Sequence, residues 1–298
     1  MSPTNRQGWL ALPSLAWLTV FFAAPTFIIL GLSFKPATVT GGFGEGWSLA
    51  AWHMLWDPIY LAIAWRTLWL SSATTAICIT LALPVAYYLA RCAPRRRRLL
   101  LIAVILPSWT NFLVRVFAWK TLLHPQGLLK QLLDATSLIA PNQPLLYNPG
   151  AVLLVLVYTY LPFAILPLYA AADRFDFGLL DAARDLGANA LTAFVRVFLP
   201  NVAHGIGVAV LMVFVPALGS YVIPELVGGV HAEMIGNKIA QRAFIDRNLP
   251  LAAALGSCLM LVVLLPMWAR MAWTRKGTDP KGPSNPASEP NEPAGGAR

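Results

Sequence analysis

The chain has 298 residues, 57% hydrophobic and only 12% charged, about half the charge of an ordinary soluble domain. With a mean hydropathy of +0.62, so little charge cannot clothe a water-facing surface. That excludes a conventional soluble enzyme, and the apolar content excludes a disordered scaffold. A net charge of +9, from 22 Lys+Arg against 13 Asp+Glu, on so apolar a chain points to a membrane protein with cytoplasmic cations, and not to nucleic acid as a partner.

A hydrocarbon core about 30 Å thick needs about 20 apolar residues in a helix. Six stretches qualify, at about 9–33, 67–90, 99–119, 149–171, 202–224 and 251–273, so an all-α polytopic membrane protein is expected. The first runs uncharged between Arg6 and Lys35. It exceeds the roughly 7–15-residue apolar core of a cleaved signal peptide, so it is read as a span. Pro25, Pro84, Pro107, Pro162, Pro167, Pro216 and Pro266 fall inside these stretches, so kinked helices packed into a bundle are expected.

The cations set the orientation. Arg6, Arg91, Arg95 to Arg98, Arg174, Arg184, Arg196, Arg270, Arg275, Lys276, Lys281 and Arg298 share one side if both termini are cytoplasmic, as the positive-inside rule requires. The opposite loops, about 34–66, 120–148 and 225–250, are rich in Gly, Pro and Asn. Residues 1–273 form the expected membrane domain, and 274–298 read as a solvated, disordered cytoplasmic tail. Cys78, Cys92 and Cys258 are isolated, and His124, His204 and His231 have no ligand spacing, so neither a disulfide nor a metal site is expected. No phosphate-binding GxxxxGK[ST] loop occurs and the halves show no repeat, which weighs against many secondary transporters.

The loop between the fourth and fifth spans, 172–200, carries the most information. Phe175, Leu179, Ala182, Ala183 and Leu186 recur at helical spacing, predicting an amphipathic helix over about 176–186. Gly187 is placed to end it in a left-handed conformation. A second helix from about Ala190 would run into Pro200 at the membrane surface. Such an exposed elbow requires a partner groove.

Asp181-Ala182-Ala183, Gly187 after three residues, and Val197-x-Leu199-Pro200 after nine more resemble the EAA loop of ATP-binding-cassette (ABC) importer permeases, EAA-x3-G-x9-I-x-LP. Asp stands for Glu and Val for Ile. Three further segments resemble the spermidine/putrescine permease branch: Pro84 to Arg91, Leu106 to Lys120, and Gly219 to Gly229 followed by Met234-Ile235-Gly236-Asn237. Where that branch carries a Trp-Pro pair, this chain has Leu249-Pro250.

The resemblance implies the type I ABC importer transmembrane fold in the bacterial inner membrane, with no catalytic residues and no cofactor of its own. It implies three kinds of partner: an ABC ATPase dimer, a second permease subunit and a periplasmic solute-binding protein. Asp181, Ala182, Ala183, Gly187, Leu199 and Pro200 would couple to the ATPase. The solute expected is a polyamine, with another small solute or a self-sufficient secondary transporter as alternatives.

Candidate path residues are Trp109, Asn111, Arg115, Trp119, Tyr221 and Glu225. An arginine costs about 2.5–3.5 kcal/mol at a bilayer centre, so Arg115 either snorkels to the outer interface, or lines an outer gate or pairs with Glu225. Aromatic and acidic groups suit a cationic solute through cation–π contact and ion pairing. The same aromatics, with Tyr158 and Tyr160, would also serve as an interfacial belt or in helix packing.

Overall fold

The computed structural model describes residues 12–38, 41–136 and 144–276. The expected tail beyond residue 276 and the first residues of the expected first span lie outside them. The described residues are helical apart from turns and one isolated antiparallel bridge, Ala37 with Phe43. The chain divides into a unit through Leu259 and a second from Met260. Of the second, residues to Lys276 continue a helix.

In chain order the main helices are α1 (Leu12–Leu32), α2 (Pro58–Arg91), α3 (Pro94–Trp109), α4 (Phe112–Leu123) and α5 (Pro149–Ala172). They are followed by α6 (Gly178–Asp185), α7 (Ala190–Asn201) and α8 (Ala203–Leu218), α9 (Ile235–Ala240) and α10 (Leu249–Lys276). Among the described residues α1, α2 and α5 are each long and apolar enough to cross a membrane, and two bent pairs, α3 with α4 and α7 with α8, would each add one more. α10 covers the sixth expected stretch.

Two expected spans differ from single straight helices. The stretch 99–119 is divided at Thr110-Asn111, where the chain turns through 88°. Pro107 has no N–H to give the preceding turn. The break is closed locally, with Thr110 Oγ1 donating to the Pro107 carbonyl (2.8 Å) and Asn111 Oδ1 accepting from the Leu113 N–H (2.9 Å). The stretch 202–224 is broken after Leu218, becoming helical again from Val222, and its start meets α7 at an angle of 71°. The expected span 67–90 is instead the inner part of α2, which begins at Pro58 behind an Asp57 N-cap that accepts from Ile59 N–H (2.9 Å).

The centre of the first unit is α2, α5 and α8. Cys78, Ala82, Ala86 and Leu89 of α2 meet Ala164, Ile165 and Leu168 of α5 and Ala209 and Val213 of α8. Apolar burial drives little in a membrane, because lipid tails are as apolar as leucine, so packing of small residues at close range holds these helices together. Gly205 of α8 marks the tightest approach: a Cβ there would lie 2.5 Å from Ala171 Cβ and 3.1 Å from the Pro167 carbonyl.

A second cluster on the opposite half packs α4 (Val116, Leu123) and α5 (Val152, Val155, Leu156) against Ile223, Val227, Ala232 and Met234. Stretch 225–250, expected as an outer loop, is therefore ordered. Pro224–Gly228 forms a π-helical turn, Val230–Ala232 a 3-10 turn, and α9 follows. By contrast no residue of α1 between Thr19 and Leu32 is buried by this chain.

Gly205→Val is expected to lower the thermal stability of the purified chain by about 1–3 kcal/mol, the usual cost of overpacking. Gly256→Ala, whose Cβ would meet nothing within 4 Å, serves as the control. Equal melting temperatures in a thermal-shift assay would refute the close contact.

Candidate functional site

α6 begins after Asp176, whose Oδ1 accepts from the Gly178 N–H (2.9 Å). It ends in a Schellman turn: Ala188 N–H donates to the Ala183 carbonyl (3.0 Å) and Gly187 N–H to the Arg184 carbonyl (2.8 Å). Gly187 has φ +88° and open space around an added Cβ, so conformation alone demands glycine there. Asn189 then caps α7 by accepting from the Thr192 N–H (2.7 Å). The helix–Gly–helix elbow expected from the sequence is present, with its first helix at Gly178–Asp185 rather than over 176–186.

The apolar stripe read from spacing divides into two faces. Leu180, buried at 3%, and Ala183 turn inward with Phe175, Phe177 and Ala188. Leu179 and Leu186 turn outward with Asp181 and Ala182, and Leu186 is 90% exposed. Asp181 lies 3.9 Å from Arg184, both open to solvent. Of the remaining motif residues, Leu199 is half-buried and Pro200 exposed near the end of α7. A π-helical turn, Phe194–Phe198, leads into them and accommodates a proline that cannot bond the preceding turn.

The inward face rests on an aromatic box. Tyr87 of α2 makes edge contacts with Phe177 (5.8 Å), Phe194 (5.6 Å) and Phe198 (5.1 Å). Phe175 meets Phe177 and Phe198 edge-on. Arg91 lies over the Tyr87 and Phe177 rings at 5.6 and 5.4 Å and donates to the Tyr87 hydroxyl (2.7 Å). Arg97 at the start of α3 bridges Asp173 at the end of α5 (2.7 Å). Spacing within the loop did not reveal these anchors, since Tyr87, Arg91 and Arg97 lie elsewhere in the chain. The available signal was the number of phenylalanines in a solvent-side loop.

At the other end of the bundle the candidate path residues fall around the two helix breaks. Trp109 closes α3 and is 81% exposed. Asn111 is the cap of α4, and Trp119 packs edge-on against Tyr158 (5.2 Å). Tyr221 is 51% exposed and Glu225 is exposed.

No ion pair joins Arg115 to Glu225 among the described residues. Glu225 Oε2 accepts instead from Asn237 Nδ2 (2.7 Å), and Arg115 Nε is buried without a hydrogen-bond partner. Asn237, 5% exposed, also donates to the Tyr221 carbonyl (3.0 Å) and accepts from the Met234 N–H (3.1 Å). It thereby binds the two halves of the Gly219 to Asn237 motif together. Ile235 N–H donates to Thr67 Oγ1 of α2 (2.9 Å). Nearby, burial opposes the charge on Arg242, but its hydrogen bonds to the Tyr60 hydroxyl (3.0 Å) and Asp246 (2.6 Å) outweigh this and raise its pKa.

Among the described residues no group of three His, Cys, Asp or Glu side chains is placed to hold a metal. The structure thus sets an exposed elbow face at one end, tied by α2, α5 and α8 to a polar, interrupted region at the other.

Residues 79–275 match the family described as binding-protein-dependent transport system inner membrane component. The spermidine/putrescine transport system permease protein PotB of Haemophilus influenzae is 35% identical over 84% of this chain and 87% of its own. The PotB of Escherichia coli is 34% identical over 85% and 94%. The inner membrane ABC transporter permease protein YdcU of Escherichia coli is 35% identical over 70% of each. Among solved structures, a chain of a bacterial ABC transporter involved in import of the acidic polysaccharide alginate superposes with a TM-score of 0.69 at 18% identity, covering 92% of this chain and 97% of that one. A chain from a complex of an alginate transporter with its pentasaccharide-bound periplasmic protein gives 0.70. With the fold, the elbow and these relatives in agreement, the chain belongs to the inner-membrane permease family of binding-protein-dependent ABC importers.

Proposed function

We propose that this chain is one permease subunit of a polyamine importer, coupled through the elbow around Asp181 and Gly187 to a separate ATPase. The observation that carries the coupling is the division of α6 into two faces. The inner face is fixed to α2 by the Tyr87–Phe177–Phe194–Phe198 box, while Leu179, Asp181, Ala182 and Leu186 are held outward. A face so rigidly based converts displacement of the elbow into displacement of α2 and α5, because close-packed interiors transmit strain. ATP-driven closure of two ATPase subunits would then switch a bundle of this chain and a second permease between inward- and outward-facing states. Solute would arrive from a periplasmic binding protein.

The solute assignment is supported by the PotB relatives, whose identity extends over most of both chains. The fold alone does not specify cargo charge, since a chain of the same fold serves an importer of acidic alginate. On this chain the groups suited to a polycation are the exposed rings of Trp109 and Tyr221 and the Glu225 carboxylate.

In proteoliposomes carrying the ATPase, both permease subunits and the binding protein, labelled spermidine uptake is expected to require ATP hydrolysis. Uptake driven by an ion gradient through this chain alone would overturn the proposal. Leu186→Asp is expected to cut ATP-dependent uptake about tenfold, equivalent to about 1.4 kcal/mol of lost docking. The isolated chain's melting temperature should be unchanged, because Leu186 touches little of it.

Gly187→Val is expected to reduce both coupling and stability, through strain at positive φ. Unchanged uptake in either variant would remove the elbow from the coupling path. Glu225→Gln keeps a partner for Asn237 but loses the charge. It is expected to raise the spermidine concentration needed for half-maximal uptake by up to about fivefold, the worth of a partly exposed charge pair. An unchanged value would make Glu225 an anchor only.

A further inference from the structure

α2 and α3 are joined by only Cys92 and Ala93, both extended (ψ 158° and 145°). The helices therefore diverge from a tight corner and leave an open groove of about 480 Å³ between them. Its walls include Pro84, Tyr88, Leu89, Leu100, Ala103 and Val104, so the only polar side-chain group among them is the Tyr88 hydroxyl.

Immediately below lie Arg95, Arg96, Arg97 and Arg98 in the first turn of α3. Arg97 is taken by Asp173 at 2.7 Å. Arg95, Arg96 and Arg98 are exposed, and among the described residues none of them makes an ion pair. Arg96, Leu100 and Ala103 follow one another at i, i+4 and i+7, so the guanidinium of Arg96 continues the face that lines the groove. Ala93 gives no side-chain cap to α3, so the helix's first N–H groups and its dipole add to the positive field.

We propose that this corner is a binding site for an anionic membrane phospholipid. One acyl chain would lie in the groove between α2 and α3, with the phosphate held by Arg95, Arg96 and Arg98. An apolar slot opening at one end onto unpaired guanidinium groups is complementary to such a lipid along its length. A zwitterionic headgroup would place a second cation among three arginines. A soluble anion would meet the charges but make no use of the groove. The site lies beside the elbow, since Arg97 of the same turn ties α3 to the end of α5 and Arg91 stacks on Phe177. Lipid occupancy is thus placed to stiffen the base on which the elbow rests.

The test uses the full-length chain purified in detergent, with retained phospholipids identified by native mass spectrometry after exposure to equimolar phosphatidylglycerol and phosphatidylethanolamine. Wild type is expected to retain phosphatidylglycerol preferentially. Retention should fall about tenfold or more in Arg95→Gln/Arg96→Gln/Arg98→Gln, as expected for removing three cations near a membrane surface. Ala103→Trp fills the groove with every arginine intact and is expected to lower retention as well.

Equal retention of the two lipids would overturn the proposal. So would loss in the arginine variant but not in Ala103→Trp, which would reduce the effect to surface charge. Displacement of the lipid by millimolar inorganic phosphate alone would point to a soluble anion instead. A cross-link from Ala103→Cys to a second permease subunit in the assembled importer would show that protein covers the groove, and would also overturn it. If the triple variant fails to elute as wild type does, Ala103→Trp decides.

Discussion

Inside hydrocarbon, every backbone N–H and C=O released by a helix break must find a partner within the protein, and this structure is organised around meeting that demand. The chain interrupts its helices repeatedly, and nearby side chains close the gaps. Thr110 and Asn111 close the break between α3 and α4. Thr67 on α2 receives the N–H of Ile235. Asn237, almost wholly buried, serves the Met234 N–H, the Tyr221 carbonyl and the Glu225 carboxylate at once. A side chain with two donors and an acceptor at one position is what allows two irregular segments to lie against each other without unsatisfied groups. The irregular segment around Ile223 to Met234 is also lined by protein, packed on α4 and α5, as irregular backbone at membrane depth requires.

Between that interrupted region and the elbow stands the α2–α5–α8 core. Its helices approach closely because the meeting residues are small: Ala82, Ala86, Ala164, Ala209 and Gly205. Close approach replaces the hydrophobic driving force that is missing in lipid. It also makes the three helices one mechanical piece. The aromatic box then fastens the elbow to α2, with Arg91 over two of its rings. The exposed face at Leu186 and the broken helices near Glu225 are opposite ends of one packed body, and close-packed interiors transmit strain.

Much of this was legible in the sequence. Apolar length marked most of the expected membrane stretches, and the Asp181–Gly187–Pro200 spacing marked the elbow and its turn. Gly187 is the clearest case, because a left-handed residue after an amphipathic run is a local requirement that local sequence states directly. What was not legible were relations between distant residues. The run 99–119 reads as one span because hydropathy sums composition and ignores where a proline and an asparagine bend the axis. The stripe Phe175, Leu179, Ala182, Ala183, Leu186 reads as one face because periodicity does not say which neighbour the helix meets. One reading paired Glu225 with Arg115, both near an outer span end, whereas Asn237 from the following segment holds it.

The sequence by itself determined that the chain lives in a membrane, where its cations gather, and where it makes an exposed helix–Gly–helix turn. These follow from composition, charge asymmetry and short-range backbone preference, which act within a few residues. Only the tertiary structure decided which face of α6 is free, which helices break, which charge is spoken for and which arginines are left open beside an apolar groove. Those depend on contacts between residues tens to hundreds of positions apart, and such contacts exist only once the chain has packed against itself.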